Sequence, residues 1–156
     1  MTNRTDTTIA ELQAELAREP LRAQLTLKAR AGTAPSQLAR PELDHVQRVL
    51  EALAGSLAAS YRRYAAALDI PLNDVEIRIE AGLDLNGLAA TSDGVRPGPS
   101  SLRAEARISS PADIYALERL RITVERHDPV LDLLRNVTPT RLEISINLRD
   151  NNSLAA

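Results

Sequence analysis

Residues 43–68 read LDHVQRVLEALAGSLAASYRRYAAAL. Apolar side chains recur in this stretch every three or four residues, at Leu43, Val46, Leu50, Leu53, Leu57, Tyr61, Tyr64 and Leu68. This spacing places them on one stripe of an α-helix. Pro41 precedes the stretch at a position that a first helical turn tolerates. The sequence therefore predicts one long central helix, with an apolar face on which the rest of the chain packs.

A second stripe of mostly small side chains lies beside the apolar one. Its members are Val49, Ala52, Ser56, Ala59, Ser60 and Ala67. Small side chains allow another backbone to approach a helix closely. The stripe is equally consistent with packing against a helix of the same chain and with packing against a second subunit across a two-fold axis.

Four segments alternate apolar and polar residues with the two-residue period of a half-buried strand. They are residues 21–29, 75–83, 102–108 and 142–148. The second and third are joined by residues 86–99, which are rich in Gly, Asn, Asp and Pro, so we expect an antiparallel pair with this loop at one end of the sheet. The order of elements predicts an α+β fold with helices packed on an antiparallel sheet.

Shorter helices are indicated on both sides of the central one. Ile9, Leu12 and Leu16 have helical spacing that stops at Pro20, which predicts a short amphipathic helix in a peripheral arm, residues 1–20. We expect the main domain to cover residues 21–149 and the tail, residues 150–156, to be frayed.

Two later helical starts carry capping signals. In the first, Ser110 is the expected cap residue, Pro111 the first helical residue and Asp113 an acid in the first turn. In the second, Asp128 precedes Pro129 and the apolar residues that follow.

Composition and charge exclude several classes of partner. Lys and Arg number 19 against 21 Asp and Glu, and the two signs are mixed along the chain, so we expect no nucleic-acid partner. No apolar run approaches the roughly 20 residues needed to span a bilayer, and the polar start lacks a secretory signal, so we expect no membrane partner and a cytoplasmic location. The three aromatic residues are all tyrosine, which leaves the core to Leu, Ile, Val and Ala.

The chain contains no cysteine. This excludes a disulfide, a thiolate nucleophile, a cysteine-bound metal and a sulfur-based peroxidase centre within the chain. The glycines form no phosphate-binding pattern, and the two histidines stand alone without a carboxylate at ligand spacing. We therefore expect neither a metal site nor a cofactor.

Several segments together resemble the family of osmotically inducible protein C and organic hydroperoxide resistance proteins (OsmC/Ohr). They are ALAGSLAASYRRYA at 52–65, DIPL at 69–72, VEI at 75–77, GLDLNG at 82–87, the turn Pro97-Gly98, the strand from Leu102, SSPAD at 109–113 and VERHDPV at 124–130. Each motif is short, but their order and spacing agree from about Pro41 to Ile146.

The resemblance implies an intertwined homodimer whose central helices pack together, with a site at the subunit interface. Family peroxidases attack a hydroperoxide with one cysteine in the central helix and resolve the sulfenic acid with a second at the start of a later helix. The corresponding residues here are Ser56 and Asp128. Neither supports thiol chemistry, so we expect no cysteine-based peroxidase. Two alternatives then remain. The protein keeps an apolar pocket at the subunit interface for a small apolar ligand, or it keeps only the fold and the dimer.

The family's activating residues are also altered. A glutamate that orients an activating arginine is implied about three helical turns before the first cysteine, and Val46 stands at its place. The arginine itself would come from the N-terminal segment, where Arg22, Arg30 and Arg40 are all candidates.

Each site residue also has a structural interpretation. We predict that the Ser56 hydroxyl bonds back to a carbonyl one turn earlier and that Asp128 caps its helix. An alternative is a hydrolase in which Ser56 attacks, His127 takes the proton and Asp128 orients the histidine. Residues adjacent in sequence rarely orient one another in this way, which favours a packing or hydrogen-bonding role for His127. His45, Arg62 and Arg63 are expected at solvated or interface positions.

Overall fold

The computed structural model describes residues 9–30 and 43–146. The described residues form five helices and three strands, together with the short 3-10 helix Pro20–Ala23. In chain order they are α1 (Ile9–Arg18), β1 (Gln24–Arg30), α2 (Asp44–Ala67), β2 (Asp74–Asp84), α3 (Leu85–Leu88), β3 (Ser101–Ser109), α4 (Ile114–His127) and α5 (Pro129–Arg135). The predicted α+β class and the long central helix are confirmed.

The three strands form one antiparallel sheet in the order β1-β2-β3. Leu25 faces Leu83 across the first pair, and Ile77 faces Ala106 across the second. Alternate residues of β2 are buried, as the period-two pattern predicts, because helices cover one face of the sheet. Short α3 follows β2 directly in the loop region, where Asp84 caps it by accepting from the Asn86 N–H.

The core lies between α2, the sheet and the two later helices. Leu50, Leu53 and Leu57 of α2 are buried against it, and Leu120 and Val124 of α4 close it from the other side. Val46, Tyr64 and Leu68 are only partly buried at its margin. The predicted apolar stripe of the central helix is therefore confirmed as the main packing face of the domain.

The small-residue stripe of α2 is covered in only one place. Ser60 is buried and Ser56 half-buried beneath the start of α5, whereas Ala52, Ala59 and Ala67 are exposed. Of the two interpretations, packing within the chain accounts for the two serines. In the described part of the chain, the three alanines leave their side of α2 exposed.

The N-terminal region follows the prediction with shifts of a few residues. The predicted amphipathic helix is α1; Leu16 is buried in the core, and Gln13 donates to the Ala89 carbonyl at 2.7 Å. The first strand begins at Gln24 rather than Leu21, because Pro20 opens a 3-10 turn that occupies the intervening residues. Pro41 lies outside the described residues.

The predicted start of α4 is wrong by three residues. Asp113 is the N-cap and accepts from the Ala116 N–H at 2.8 Å, so Pro111 precedes the helix. The Ser110 hydroxyl instead accepts from the Ala112 N–H and donates to the Pro71 carbonyl. Ser110 thus forms a local serine turn that stabilises the segment leading into α4.

The predicted final strand is also not observed. Residues 136–146 form neither helix nor strand, and Leu142, Ile144 and Ile146 are all exposed. An alternating segment becomes a strand only when another strand satisfies its backbone groups. Among the described residues none pairs with this segment, although the outer edge of β3 is open. Leu148 and the tail at 150–156 lie outside the described residues.

Candidate functional site

Two serines of α2 converge on one aspartate at the start of α5. Ser56 and Ser60 are four residues apart, so their side chains project from the same side of the helix on consecutive turns. The Ser56 hydroxyl donates to Asp128 Oδ2 at 2.8 Å, and the Ser60 hydroxyl donates to the same oxygen at 2.7 Å. The fold therefore joins residues 72 and 68 positions apart in the chain.

The second oxygen of the aspartate caps α5. Asp128 Oδ1 accepts from the backbone N–H of Val130 at 3.1 Å and of Leu131 at 2.8 Å. Pro129 occupies the first helical position, where its missing N–H costs nothing. The predicted N-cap role of Asp128 is confirmed.

The carboxylate is buried but fully hydrogen-bonded. Asp128 is 1% exposed, and its two oxygens accept four hydrogen bonds and donate none, which is the pattern of an ionised carboxylate. No cation pairs with it within residues 9–30 and 43–146. Four hydrogen bonds therefore compensate for the loss of water around this charge.

The sequence analysis anticipated this network only in part. Ser56 was predicted to bond to a carbonyl of its own helix, and it bonds to Asp128 instead. Ser60 was not singled out as a site residue. Its signal was its place one turn after Ser56 in the small-residue stripe, which shows a shared face but not what covers that face.

His127 does not mediate between serine and aspartate. It is exposed at the end of α4, and its ring lies 6.0 Å from the Tyr64 ring, tilted by 46°. Within the described part of the chain no hydrogen bond joins it to Ser56. Ser56 contacts Asp128 directly, so the three residues do not form the order serine, histidine, carboxylate that a hydrolase relay needs.

The other residues suggested by the resemblance lie in varied surroundings. Val46 packs at the edge of the core, an apolar setting that suits a valine. Arg22 pairs with Glu15 and Glu19, and Arg30 pairs with Glu76. Arg40 lies outside the described residues. His45, Arg62 and Arg63 are exposed on α2, as expected for solvated or interface positions.

A cavity of about 750 Å³ lies between β3 and the helices α4 and α5. Its apolar wall includes Leu57, Ile77, Leu117 and Leu131. Neither Ser56 nor Asp128 is among the residues that line it. The cavity and the hydrogen-bond network are thus two separate features. Both involve α5, which lines the cavity and is capped by Asp128.

Charged and phenolic groups surround this cavity. Arg121 donates to both Glu118 and Glu125, and these hydrogen bonds raise the pKa of Arg121 above its ordinary value. The hydrogen bonds from Arg121 also lower the pKa of Glu118. Burial, and secondarily the charge of Glu125, raise the pKa of the Tyr61 phenol, which therefore stays protonated at neutral pH. The cavity accordingly combines an apolar wall with a polar rim.

Neither a family model nor a curated protein matches the sequence. Among solved structures, the chain is similar to the crystal structure of an OsmC-like hydroperoxide resistance protein from Jannaschia sp. CCS1. The two share 18% sequence identity over 73% of this chain and 72% of that chain, with a TM-score of 0.54. At this identity the likeness concerns the fold, and the chain has an OsmC-like fold, as the sequence resemblance implies. No helix in the described residues is long and apolar enough to cross a membrane.

Proposed function

We propose that this chain is a cysteine-free member of the OsmC/Ohr family in which hydrogen bonding has replaced thiol peroxidase chemistry. The contact between Ser56 and Asp128 carries the proposal. These residues stand at the two positions that the sequence resemblance assigns to the family cysteines, and their side chains meet at 2.8 Å. That contact supports the assignment, because cysteines at these positions must approach each other to form a disulfide.

The chemistry of the two residues argues against peroxide reduction. Reduction of a hydroperoxide by this route requires a thiolate that becomes a sulfenic acid and then a disulfide. A serine hydroxyl does not undergo that cycle, and the chain has no cysteine to supply a thiol. Ser56 instead donates a hydrogen bond to a buried carboxylate that accepts three further hydrogen bonds.

The exposed apolar surface supports a homodimer. Ala52 and Ala59 leave the outer face of α2 open to close approach by a second helix. The outer edge of β3 has no strand partner in the described residues. Leu142, Ile144 and Ile146, which follow α5 in the chain, are also exposed. A second copy of the chain is the partner that we propose for these surfaces.

The cavity beside β3 is the proposed binding site for a small apolar ligand. Its volume of about 750 Å³ falls within the range of small-molecule sites, and the apolar wall suits an alkyl or ring portion of a ligand. The rim formed by Arg121 and its two glutamates suits a polar end. The cavity is lined in part by β3, the strand whose outer edge has no strand partner in the described residues.

An activity assay tests the loss of peroxidase function. We expect no consumption of an organic hydroperoxide above background when the purified protein is given a dithiol reductant. The variant carrying both Ser56→Cys and Asp128→Cys should gain measurable turnover if it restores the family positions. The matched control carries Ala59→Cys and Asp128→Cys and should stay inactive. Robust turnover by the natural protein would disprove the proposal.

A further inference from the structure

We propose that Ser56, Ser60 and Asp128 form a non-covalent clamp that fixes α5 on α2 and thereby sets the position of one wall of the apolar cavity. The clamp takes the place of the covalent link that two cysteines at positions 56 and 128 would form. This equivalence rests on the proposed function, whereas the clamp itself rests on the observed contacts.

The attachment of α5 to α2 is concentrated at one atom, Asp128 Oδ2. Both hydroxyls reach Asp128 Oδ2, one from each of two consecutive turns of α2. The other oxygen holds the first free N–H groups of α5. One buried carboxylate thus connects the middle of the central helix with the start of α5. Hydrogen bonds to a charged group are stronger than those between neutral groups, and water does not compete where the carboxylate is buried.

Other contacts hold α5 only weakly. The helix has seven residues, too few to be stable alone in water. Leu131 is its buried apolar anchor, while Leu133 and Leu134 are 57% and 43% exposed. Apolar burial by α5 is limited to Leu131 and the partly buried Val130, so the position of α5 also depends on the polar clamp.

The same helix forms part of the cavity. Leu131, Leu134 and Arg135 of α5 line the wall opposite β3. A shift of α5 away from α2 would change the width of the cavity. The serines therefore act as positioning residues for the cavity, although neither touches it.

Hydrogen exchange on the full chain tests the clamp. In the variant carrying Ser56→Ala and Ser60→Ala, we expect the Val130 and Leu131 amides to exchange at least about ten-fold faster, since each lost charge-assisted hydrogen bond corresponds to a factor of that order. Amides of β2 should keep their natural rates. The control Asp113→Ala removes the cap of α4 and should leave α5 unchanged. Unchanged α5 exchange in the double variant would overturn the clamp.

A reversible cross-link provides a second test that does not depend on the alanine variants remaining folded. In the variant carrying Ser56→Cys and Asp128→Cys, the oxidised form should protect the α5 amides from Asp132 onward as the natural protein does, because these bond to backbone carbonyls and not to the side chain of residue 128. Reduction should release that protection by about ten-fold or more, because two thiols are poor substitutes for the charged network. Equal exchange in both redox forms would contradict the clamp. The pair Ala59→Cys and Asp128→Cys should not cross-link, since Ala59 is exposed whereas Ser56 lies beneath the start of α5.

The cavity readout links the clamp to binding. The fluorescence of an anilinonaphthalene sulfonate probe should report at least a two-fold change in apparent affinity in the double serine variant relative to the natural protein. An unchanged affinity together with faster α5 exchange would overturn the positioning role. Hydroperoxide turnover by the natural protein would instead contradict the proposed function while leaving the clamp measurements intact.

Discussion

Helices α4 and α5 both begin with an aspartate N-cap, and they differ in the contacts that the second oxygen of that aspartate makes. Asp113 caps α4 and Asp128 caps α5, each accepting backbone N–H groups through a side-chain oxygen. Asp113 is exposed, and its second oxygen faces no described partner that holds it to another helix. Asp128 is buried, and its second oxygen receives two serine hydroxyls from α2. The same local motif is thus a helix start in one case and a tertiary attachment in the other.

The largest effect is expected when the buried cap is removed. Asp128→Ala leaves two backbone donors of α5 and two serine hydroxyls without their acceptor. We expect a loss of about 3 kcal/mol or more in the free energy of unfolding, from the cap and the unsatisfied buried donors together. Urea denaturation followed by circular dichroism measures it. A loss no larger than that of Asp113→Ala would contradict the difference between the two caps.

The serine substitutions should rank according to burial. Ser60→Ala removes a donor that is 3% exposed, and we expect a loss of about 1.5–2 kcal/mol. Ser56→Ala should cost less, about 1 kcal/mol, because Ser56 is half-buried and water can replace part of its contact. The double variant should depart from additivity because both hydroxyls bind one oxygen. The cycle of the natural protein, the two single serine variants and the double variant checks this, and strict additivity would disprove the shared acceptor.

The exposed cap should contribute an amount typical of an isolated helix. Asp113→Ala is expected to reduce the free energy of unfolding by about 1 kcal/mol, because only the capping hydrogen bond to Ala116 is lost. Asp113→Asn should restore most of this loss, since asparagine caps as well as aspartate. Denaturation of both variants in parallel tests it, and a loss beyond about 2 kcal/mol would indicate an attachment at this cap as well.

The smallest effect is expected at His127, between the two helices. Its exposed ring contacts Tyr64 and makes no hydrogen bond to Ser56 in the described structure, so His127→Ala should change the free energy of unfolding by less than about 0.5 kcal/mol. Hydrolysis of a p-nitrophenyl ester by the natural protein, abolished by this substitution, would revive the hydrolase alternative. Equal background hydrolysis by both proteins is the expected result.

Local patterns predicted most of the elements that position the site. The period of the apolar residues indicated α2 and its buried face, and the alternation in β2 and β3 indicated their pairing. The sequence Asp128-Pro129 indicated the cap of α5 because that contact spans only three residues. The start of α4 was misplaced because Ser110 and Asp113 are both capping residues, and local sequence does not distinguish a serine turn from an N-cap.

Contacts between distant segments were harder to predict from the sequence. The partner of Ser56 lies 72 positions away, and a small polar residue on a helix is compatible with several acceptors. Ser60 was missed for the same reason. The strand expected at 142–148 depended on a pairing partner, and alternation specifies the faces of a strand without specifying its neighbour.

The sequence by itself determined the class of the fold, the absence of thiol chemistry and the capped start of α5, because periodicity, composition and capping are properties of neighbouring residues. The tertiary structure alone decided that two serines and an aspartate share one buried oxygen, that His127 lies apart from them, and that the apolar cavity is separate from this network. These features depend on where α5 crosses α2, and that crossing follows from the packing of the whole core rather than from any short segment of the chain.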